Sequence, residues 1–356
     1  MSGAADLRPA IRKLVARSDL SDSEIGTVFD AILNGHSNDA SIGAFLVALS
    51  MKGETAAEIR AMIAAARRHA RHITPNVSGK IIDTCGTGGD SIRSFNISTA
   101  SAIVACAAGA VVAKHGNRSV SGICGSADFL EYVGLSLEAT PGKVQTCIER
   151  VGFGFLFAPL FHPSMKNVAN ARKAIGIRTV FNMIGPLSNP CTNISGQVIG
   201  VFEPALMDLL AEAYQGYVPE AMFVHAVDGF DELSNTCEND VLWIKGGGPP
   251  QRLRIHPKVL NMQVAKPERL VVNSKDESIK ATLQTIYGKA PQEKEDIVVL
   301  NASAALVVAK IASDLKDGIA LARAAIKNGD GRNKLSQIIQ ECGDIEKLRD
   351  AEKNFL

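Results

Sequence analysis

From the N-terminus to about residue 74 the apolar positions keep helical spacing only: Leu14, then Ile25, Val28, Phe29, Ile32 and Leu33, then Ile42 to Met51, then Ile59 to Ala66. Apolar residues three and four apart share one helix face, so this stretch predicts a small all-helical unit. Thr74-Pro75-Asn76 ends it, because proline lacks an N–H and pushes the preceding residue out of the helical region. From Lys80 onward the period changes. Short apolar runs at Ile81-Ile82, Val111-Val112-Ala113, Gly154-Phe155-Leu156-Phe157, Val198-Ile199-Gly200-Val201-Phe202 and Met222-Phe223-Val224-His225 alternate with helical segments. That order predicts a mostly parallel sheet wrapped by helices.

The Ala-rich segment from Thr99 to Ala110 predicts a buried helix whose small side chains allow close approach to the sheet. Residues 165–189 turn helical again between two strands and are expected to leave the sheet and pack on the N-terminal helices. The expected division is therefore a helical domain of residues 1–74, with 165–189 packed on it, and an α/β catalytic domain of residues 75–164 and 190–356. Gly246-Gly247-Gly248-Pro249-Pro250 reads as a surface turn and a candidate flexible connection. No internal repeat or low-complexity tract is present.

Composition narrows the class. With 356 residues and 46% hydrophobic content, the chain can bury sizeable cores. A net charge of +1 gives no overall basic field for nucleic acid. The basic run Arg67-Arg68-His69-Ala70-Arg71-His72 closes a helical pattern and is expected to complement that helix's dipole on a solvated face. Seven scattered cysteines, with no Cys-x-x-Cys, argue against zinc ribbons and disulfide frameworks. Met1 to Arg12 has no apolar signal core, and the longest apolar stretch, Ala102 to Ala113, is too short to span a bilayer. A soluble cytoplasmic protein, binding neither membrane nor nucleic acid, is expected.

The chemistry gathers at predicted strand ends, where open α/β sheets bind ligands. Asp83-Thr84-Cys85-Gly86-Thr87-Gly88-Gly89-Asp90 follows the first strand, and Asn96-Ile97-Ser98-Thr99 opens the next helix, with Asn96 read as its N-cap. Glycines let the backbone turn, the helix start offers unpaired N–H groups, and Ser94, Ser98 and Thr99 add hydroxyls, so an anion belongs there. Neither the nucleoside-triphosphate loop nor the dinucleotide fingerprint occurs, which leaves another phosphate ester. After the second strand, Lys114-His115-Gly116-Asn117-Arg118-Ser119-Val120-Ser121-Gly122 offers a point charge for phosphate at Lys114 and a loop able to close over a ligand. Asp228-Gly229-Phe230-Asp231-Glu232 follows the fifth run, and adjacent carboxylates there suit Mg²⁺, with Ser98 as a further oxygen. Arg172 has the planar fork to grip a carboxylate, whereas Lys166 and Lys173 read as surface charges. His115, His162 and His225 lack metal-ligand spacing, and no nucleophile elbow is present, so covalent catalysis is not suggested.

Taken together, Gly86-Thr87-Gly88-Gly89-Asp90, Asn96-Ile97-Ser98-Thr99, Lys114-His115-Gly116-Asn117-Arg118, Gly125-Ser126-Ala127-Asp128, His162-Pro163, Arg178-Thr179-Val180-Phe181-Asn182, Gly185-Pro186-Leu187 and Asp231-Glu232 resemble the anthranilate phosphoribosyltransferase family, in the family's order and over almost the whole chain. The resemblance implies an α/β domain of the nucleoside-phosphorylase kind and a helical domain that mediates a homodimer. It implies transfer of the phosphoribosyl group of 5-phosphoribosyl 1-pyrophosphate to anthranilate, in tryptophan synthesis. By the same resemblance, Gly86, Thr87, Gly88, Gly89 and Asp90 would hold the pyrophosphate side of the donor, and Ser94, Asn96, Ile97, Ser98 and Thr99 its 5-phosphate. Lys114 to Gly122 and Ser126 would complete that pocket. Ser98, Asp231 and Glu232 would bind magnesium, and Gly86, Asn117, His162, Arg172 and Gly185 would contact anthranilate.

Three stretches depart from the family pattern. Gly122-Ile123-Cys124-Gly125 stands where many members have Ser-Lys-Ser-Gly, Ser91-Ile92-Arg93 is bulkier than usual, and Ser234-Asn235-Thr236-Cys237-Glu238 lacks the usual Thr-Gly-Pro. These bear on loop dynamics and donor affinity. The competing readings are a pyrimidine nucleoside phosphorylase, using inorganic phosphate as nucleophile, and a nucleic-acid-binding relative without transferase activity. Against the second stand the near-neutral charge and the retained Asp231 and Glu232. The reaction assigns no catalytic acid or base: the aromatic amine can lose its proton after attacking the ribosyl carbon.

Overall fold

The computed structural model describes residues 6–88, 93–119 and 123–356. Four helices come first: α1 (Arg8–Val15), α2 (Asp22–Leu33), α3 (Asp39–Lys52) and α4 (Ala56–Arg68). Their starts are chemically specified. Ser21 with Glu24 and Thr55 with Glu58 form reciprocal capping boxes, and Asn38 caps α3. The basic run after Ala66 places Arg67 and Arg68 in the last turn of α4 and leaves Arg68, Arg71 and His72 exposed, as expected, but part of it is also engaged. Arg67 is half-buried over the Tyr217 ring, while Arg68 and His69 both pair with Asp30.

The sheet begins with β1 (Ile81–Gly86), followed by α5 (Ile97–Ala107), β2 (Val111–Gly116), α6 (Ser126–Tyr132), α7 (Pro141–Val151) and β3 (Phe153–Phe157). After β3 the chain runs through α8 (Ala158–Phe161), α9 (Lys166–Ile175) and α10 (Val180–Leu187). It returns as β4 (Ile194–Gly200), α11 (Met207–Tyr214), β5 (Glu220–Ala226), β6 (Asn239–Ile244) and β7 (Gln251–Ile255). Five more helices close the chain: α12 (Lys275–Ile286), α13 (Gln292–Val308), α14 (Leu315–Lys327), α15 (Asp330–Cys342) and α16 (Ile345–Phe355).

The strand order is β3-β2-β1-β4-β5-β6-β7. The pairs from β3 to β5 are parallel, and β5 to β7 antiparallel. Gly246 to Pro250 is thus the loop of the β6–β7 hairpin, which corrects the expectation of a flexible connection: it joins two paired strands. Alternate side chains enter two cores. Ile82 and Val112 join the core with α5 and α13, whereas Ile81 and Ala113 face the other core with α11 and the N-terminal helices. Helix α9 packs on α2 and α3, and Asn167 Nδ2 donates to Leu33 O across 2.8 Å. Between β1 and β4 the strand order reverses, so a crevice opens at their carboxyl ends. Among the described residues no helix is long and apolar enough to cross a membrane.

Candidate active site

The β1 and β4 ends and the 228–232 loop meet with no room to spare. Thr87 N donates to Gly200 O at 2.8 Å, and Phe202 N to Thr87 Oγ1 at 3.0 Å. A Cβ on Gly86 would lie 2.4 Å from Asp231 Oδ2, and one on Gly200 only 1.6 Å from Asp231 O. Glycine is therefore required by proximity at both strand ends. Gly88, at φ 69°, donates its N–H to Asp231 Oδ2 across 2.9 Å. Burial pushes the Asp231 carboxyl above its usual range, and the Gly88 N–H works against that shift. Glu232 is half-buried beside it, and its charge reaches Lys114.

Lys114 is almost wholly buried, and its ammonium bonds Thr84 O and Ser98 Oγ, the latter at 3.3 Å. This modifies the expected direct phosphate contact: the donors are committed to β1 and to the first turn of α5. Lys114 acts on the crevice by fixing Ser98 and by its field. Burial lowers its pKa, and the charges of Asp83, Cys85 and Glu232 oppose the shift. Thr99 Oγ1, in the same first turn, is buried with no hydrogen-bond partner, an unmet polar group where the sequence places an anion. Asn96 occupies the N-cap position without capping, which corrects its expected role. Its Nδ2 donates to Ser278 Oγ at 3.3 Å, tying α5 to α12.

A second wall forms where β2 and β3 end. The His115 and His162 rings are 5.1 Å apart, and the backbone of Gly185 faces His115. Both rings are held uncharged by burial, His162 down to about 4 and His115 well below its usual value. Among the described residues neither nitrogen of His162 makes a well-formed hydrogen bond, although the backbones of Ser188 and Ala66 lie close enough to favour its charged form against the burial. Arg172 on α9 stands over the Phe181 ring at 5.4 Å, half-buried, and forms no ion pair among the described residues. Burial lowers its pKa, as for a cation short of a counter-charge.

The remaining expected residues are distributed as follows. Asn117 Oδ1 accepts from Arg118 N at 2.8 Å, and Ser126 Oγ donates to Asn117 O at 3.2 Å. The Arg118 guanidinium is bound to Glu131 and Asp128, so its charge is paired with carboxylates on α6. Ser119 N and Gly125 N both donate to Asp128 Oδ2, closing the base of that loop. Gly116 lies against Ser126, Ile97 is core, and Ser94 bridges to Val271. Gly89, Asp90, Ser91, Ile92, Val120, Ser121 and Gly122 lie outside the described residues. Of the departures, Ile123 and Cys124 pack on the larger core, and Arg93 O accepts from Val272 N. Asn239 pins the 234–238 segment through Ser234 N and O, and Arg254 pairs with Glu238.

Sequence reasoning missed the buried groups beneath the site. Asp83, Asn189, Gln197 and Tyr214 form a hydrogen-bonded chain under β1 and β4. Asp83 lay inside the glycine-rich motif, and Asn189 just past Gly185-Pro186-Leu187. Gln197 carried a detectable signal, being polar in the middle of an otherwise apolar strand.

The helical bundle domain of the glycosyl transferase family matches residues 8–70, and the a/b domain of that family matches residues 78–332. The anthranilate phosphoribosyltransferase of Acetivibrio thermocellus is 44% identical over 335 residues, covering 94% of this chain and 96% of that protein. That of Alkaliphilus metalliredigens is 42% identical, covering 96% and 99%. The crystal structure of the Thermus thermophilus enzyme superposes with a TM-score of 0.86 at 37% identity, covering 96% of this chain and 99% of that one. The Saccharomyces cerevisiae enzyme, in complex with PRPP and Mg, gives 0.86 at 25% identity, covering 94% and 97%.

Proposed function

The chain belongs to the anthranilate phosphoribosyltransferase family, and from that membership we propose how its own residues carry out the reaction. The enzyme transfers the phosphoribosyl group of 5-phosphoribosyl 1-pyrophosphate to the amine of anthranilate, releasing pyrophosphate and N-(5-phosphoribosyl)anthranilate. The observation that carries this reading for these residues is the convergence of Lys114, Ser98 and the Asp231-Glu232 pair at the β1–β4 crevice.

The donor's phosphates belong at the start of α5, where backbone N–H groups and the half-buried Ser98 hydroxyl offer donors without a charge to desolvate, with the buried Thr99 hydroxyl in the same turn. Gly86 to Asp90, Ser94, Asn96, Lys114 to Gly122 and Ser126 complete the proposed donor pocket. Asp231, Glu232 and Ser98 are hard oxygen donors that fit Mg²⁺. Among the described residues no three His, Cys, Asp or Glu side chains cluster as a self-sufficient metal cage, which suits an ion that shares its coordination with phosphate and water. When bound, Mg²⁺ supplies positive charge to the departing pyrophosphate.

Loss of pyrophosphate builds positive charge on the ribosyl carbon, and the amine need only be held in line with it. We assign that positioning to Arg172, which takes the anthranilate carboxylate, and to Asn117, His162 and the backbone at Gly86 and Gly185. The uncharged imidazoles give the ring a neutral wall, and no residue is assigned as acid or base. The helical unit of residues 1–74, with 165–189 on it, is proposed to carry a homodimer interface, with residues 75–164 and 190–356 as the catalytic unit. A cytoplasmic location and a role in tryptophan biosynthesis follow from the activity.

Pyrophosphate release tests the proposal. It should require anthranilate, the donor and Mg²⁺ together, and Arg172 should be needed for the anthranilate dependence. Phosphorolysis of uridine or thymidine by inorganic phosphate, without that release, would identify a pyrimidine nucleoside phosphorylase instead.

A further inference from the structure

The polar chain beneath the site connects both of its walls. On β1, Asp83 Oδ1 accepts from His115 N at 3.2 Å, and Oδ2 accepts from Asn189 Nδ2 at 2.9 Å and Gln197 Nε2 at 3.2 Å. Asn189 Nδ2 also donates to Ala113 O at 2.8 Å. Gln197, on β4, donates from the same nitrogen to Pro186 O at 2.7 Å, and its Oε1 accepts from Tyr214 OH at 2.6 Å. All of these side chains are buried.

The Pro186 carbonyl needs this outside donor. It sits at the last turn of α10, and the residue four positions on, whose N–H would close the helical bond, is Pro190. Gln197 supplies the strong donor at 2.7 Å, with the Cys85 thiol as a weaker second one at 3.6 Å. A glutamine amide can be turned end for end in the same space, which would put oxygen where nitrogen is needed. The acceptors Pro186 O and Asp83 Oδ2 forbid that, and Tyr214, whose hydroxyl donates to the remaining oxygen, anchors the other end of the amide so that it stays seated between them. Tyr214 itself lies wholly buried in the second core against Tyr217 and Phe223.

The structure assigns Gln197, anchored by Tyr214, as a positioning residue that sets the Gly185-Pro186 wall of the acceptor site and links it through Asp83 to the strand carrying Lys114. The assignment rests on the proposed acceptor role of Gly185. Loss of the tyrosine hydroxyl leaves the buried Gln197 oxygen without a donor, which should shift the amide, loosen α10 at its C-terminal end and misplace anthranilate, while the donor site at α5 stays intact.

Three variants of the whole enzyme test this: Tyr214→Phe, Gln197→Met and the pair together. Tyr287→Phe is the control, since it also deletes a tyrosine hydroxyl's bond to a side chain, here the half-buried pair with Glu352 at 2.7 Å on other elements. Tyr214→Phe should raise the anthranilate KM about five- to tenfold and lower kcat, with the donor KM within about twofold of the parent's. Tyr287→Phe should leave both KM values unchanged. The double variant should cost no more than Gln197→Met alone, because both changes remove one device. Amide hydrogen exchange, read without substrate and hence independent of the catalytic reading, should speed up several-fold over residues 183–192 in Tyr214→Phe but stay unchanged over α14 and α15. Unaltered exchange over 183–192, or both KM values moving together, would overturn the assignment.

Discussion

Arg172 and His162 show how much a single residue carries here. The Arg172 guanidinium is half-buried over Phe181 with no acid beside it among the described residues, so an incoming carboxylate gains a partner with little competing charge. Arg172→Ala should raise the anthranilate KM by on the order of 2 to 5 kcal/mol, roughly thirtyfold to several thousandfold, with the donor KM nearly unchanged. Steady-state kinetics in each substrate checks this, and equal weakening of both would make Arg172 structural. His162 has a folded pKa of about 4 against an ordinary 6.5. Below 6.5 the unfolded chain takes up a proton that the folded one refuses, so stability falls as pH drops from 6.5 toward 4. That loss amounts to about 3 kcal/mol from this residue. His162→Gln, which cannot titrate, should make the melting temperature fall less steeply over that range, the remaining fall coming from groups such as the similarly buried His115, whereas an equally steep fall in both proteins would remove His162 from the account. Arg172, His162, Asp231 and Glu232 were legible in sequence because each follows a strand or sits in a motif. Asp83, Gln197 and Tyr214 were not, since their roles depend on which strands are neighbours.

At the scale of elements, the site is the place where two strand ends and one loop touch. The 228–232 loop rests on β1 and β4 through Gly86 and Gly200, so the acidic pair is held by backbone proximity as much as by its hydrogen bond to Gly88. Gly200→Ala would drive a methyl group into Asp231 O and should cost about 1 to 3 kcal/mol in denaturant unfolding while raising the donor KM. Gly142→Ala on α7, where a Cβ meets nothing within 4 Å, should leave both unchanged. A Gly200→Ala enzyme with parental stability and donor KM would show that the loop yields freely. The parallel strands β1 to β5 were readable as apolar runs because both of their faces are covered. The antiparallel strands β6 and β7 were not. Asp240 and Trp243 are only half-buried on β6, and β7 is an exposed edge whose Arg252 and Arg254 reach Asp208 and Asp240. Its charge masks the alternation that would otherwise mark a strand. Asn96 is the N-cap residue of α5 as read, but its side chain makes no cap bond, because its partner, Ser278, lies on a helix far along the chain.

The whole molecule places its two halves on opposite sides of one sheet. The N-terminal helices share a core with α9, α10 and α11, so the proposed acceptor wall is mounted on the helical side and the donor loops on the sheet. The proposed interface on the helical unit predicts a particle of twice the 37.7 kDa chain mass by light scattering, concentration-independent in the micromolar range. A particle of single-chain mass would remove the homodimer from the account. The period change near residue 74 and the helical pattern of residues 165–189 between two strands made these segments legible, and α9 and α10 pack on α2, α3 and α4 as expected. The account as a whole stands on one chemical claim, that anthranilate is joined to the donor in this crevice. The direct measurement is the intrinsic fluorescence of anthranilate mixed with purified protein, 5-phosphoribosyl 1-pyrophosphate and Mg²⁺. The signal should fall with time in proportion to enzyme, and stay flat when either the donor or Mg²⁺ is withheld. A flat trace with all components present at high enzyme concentration would contradict it.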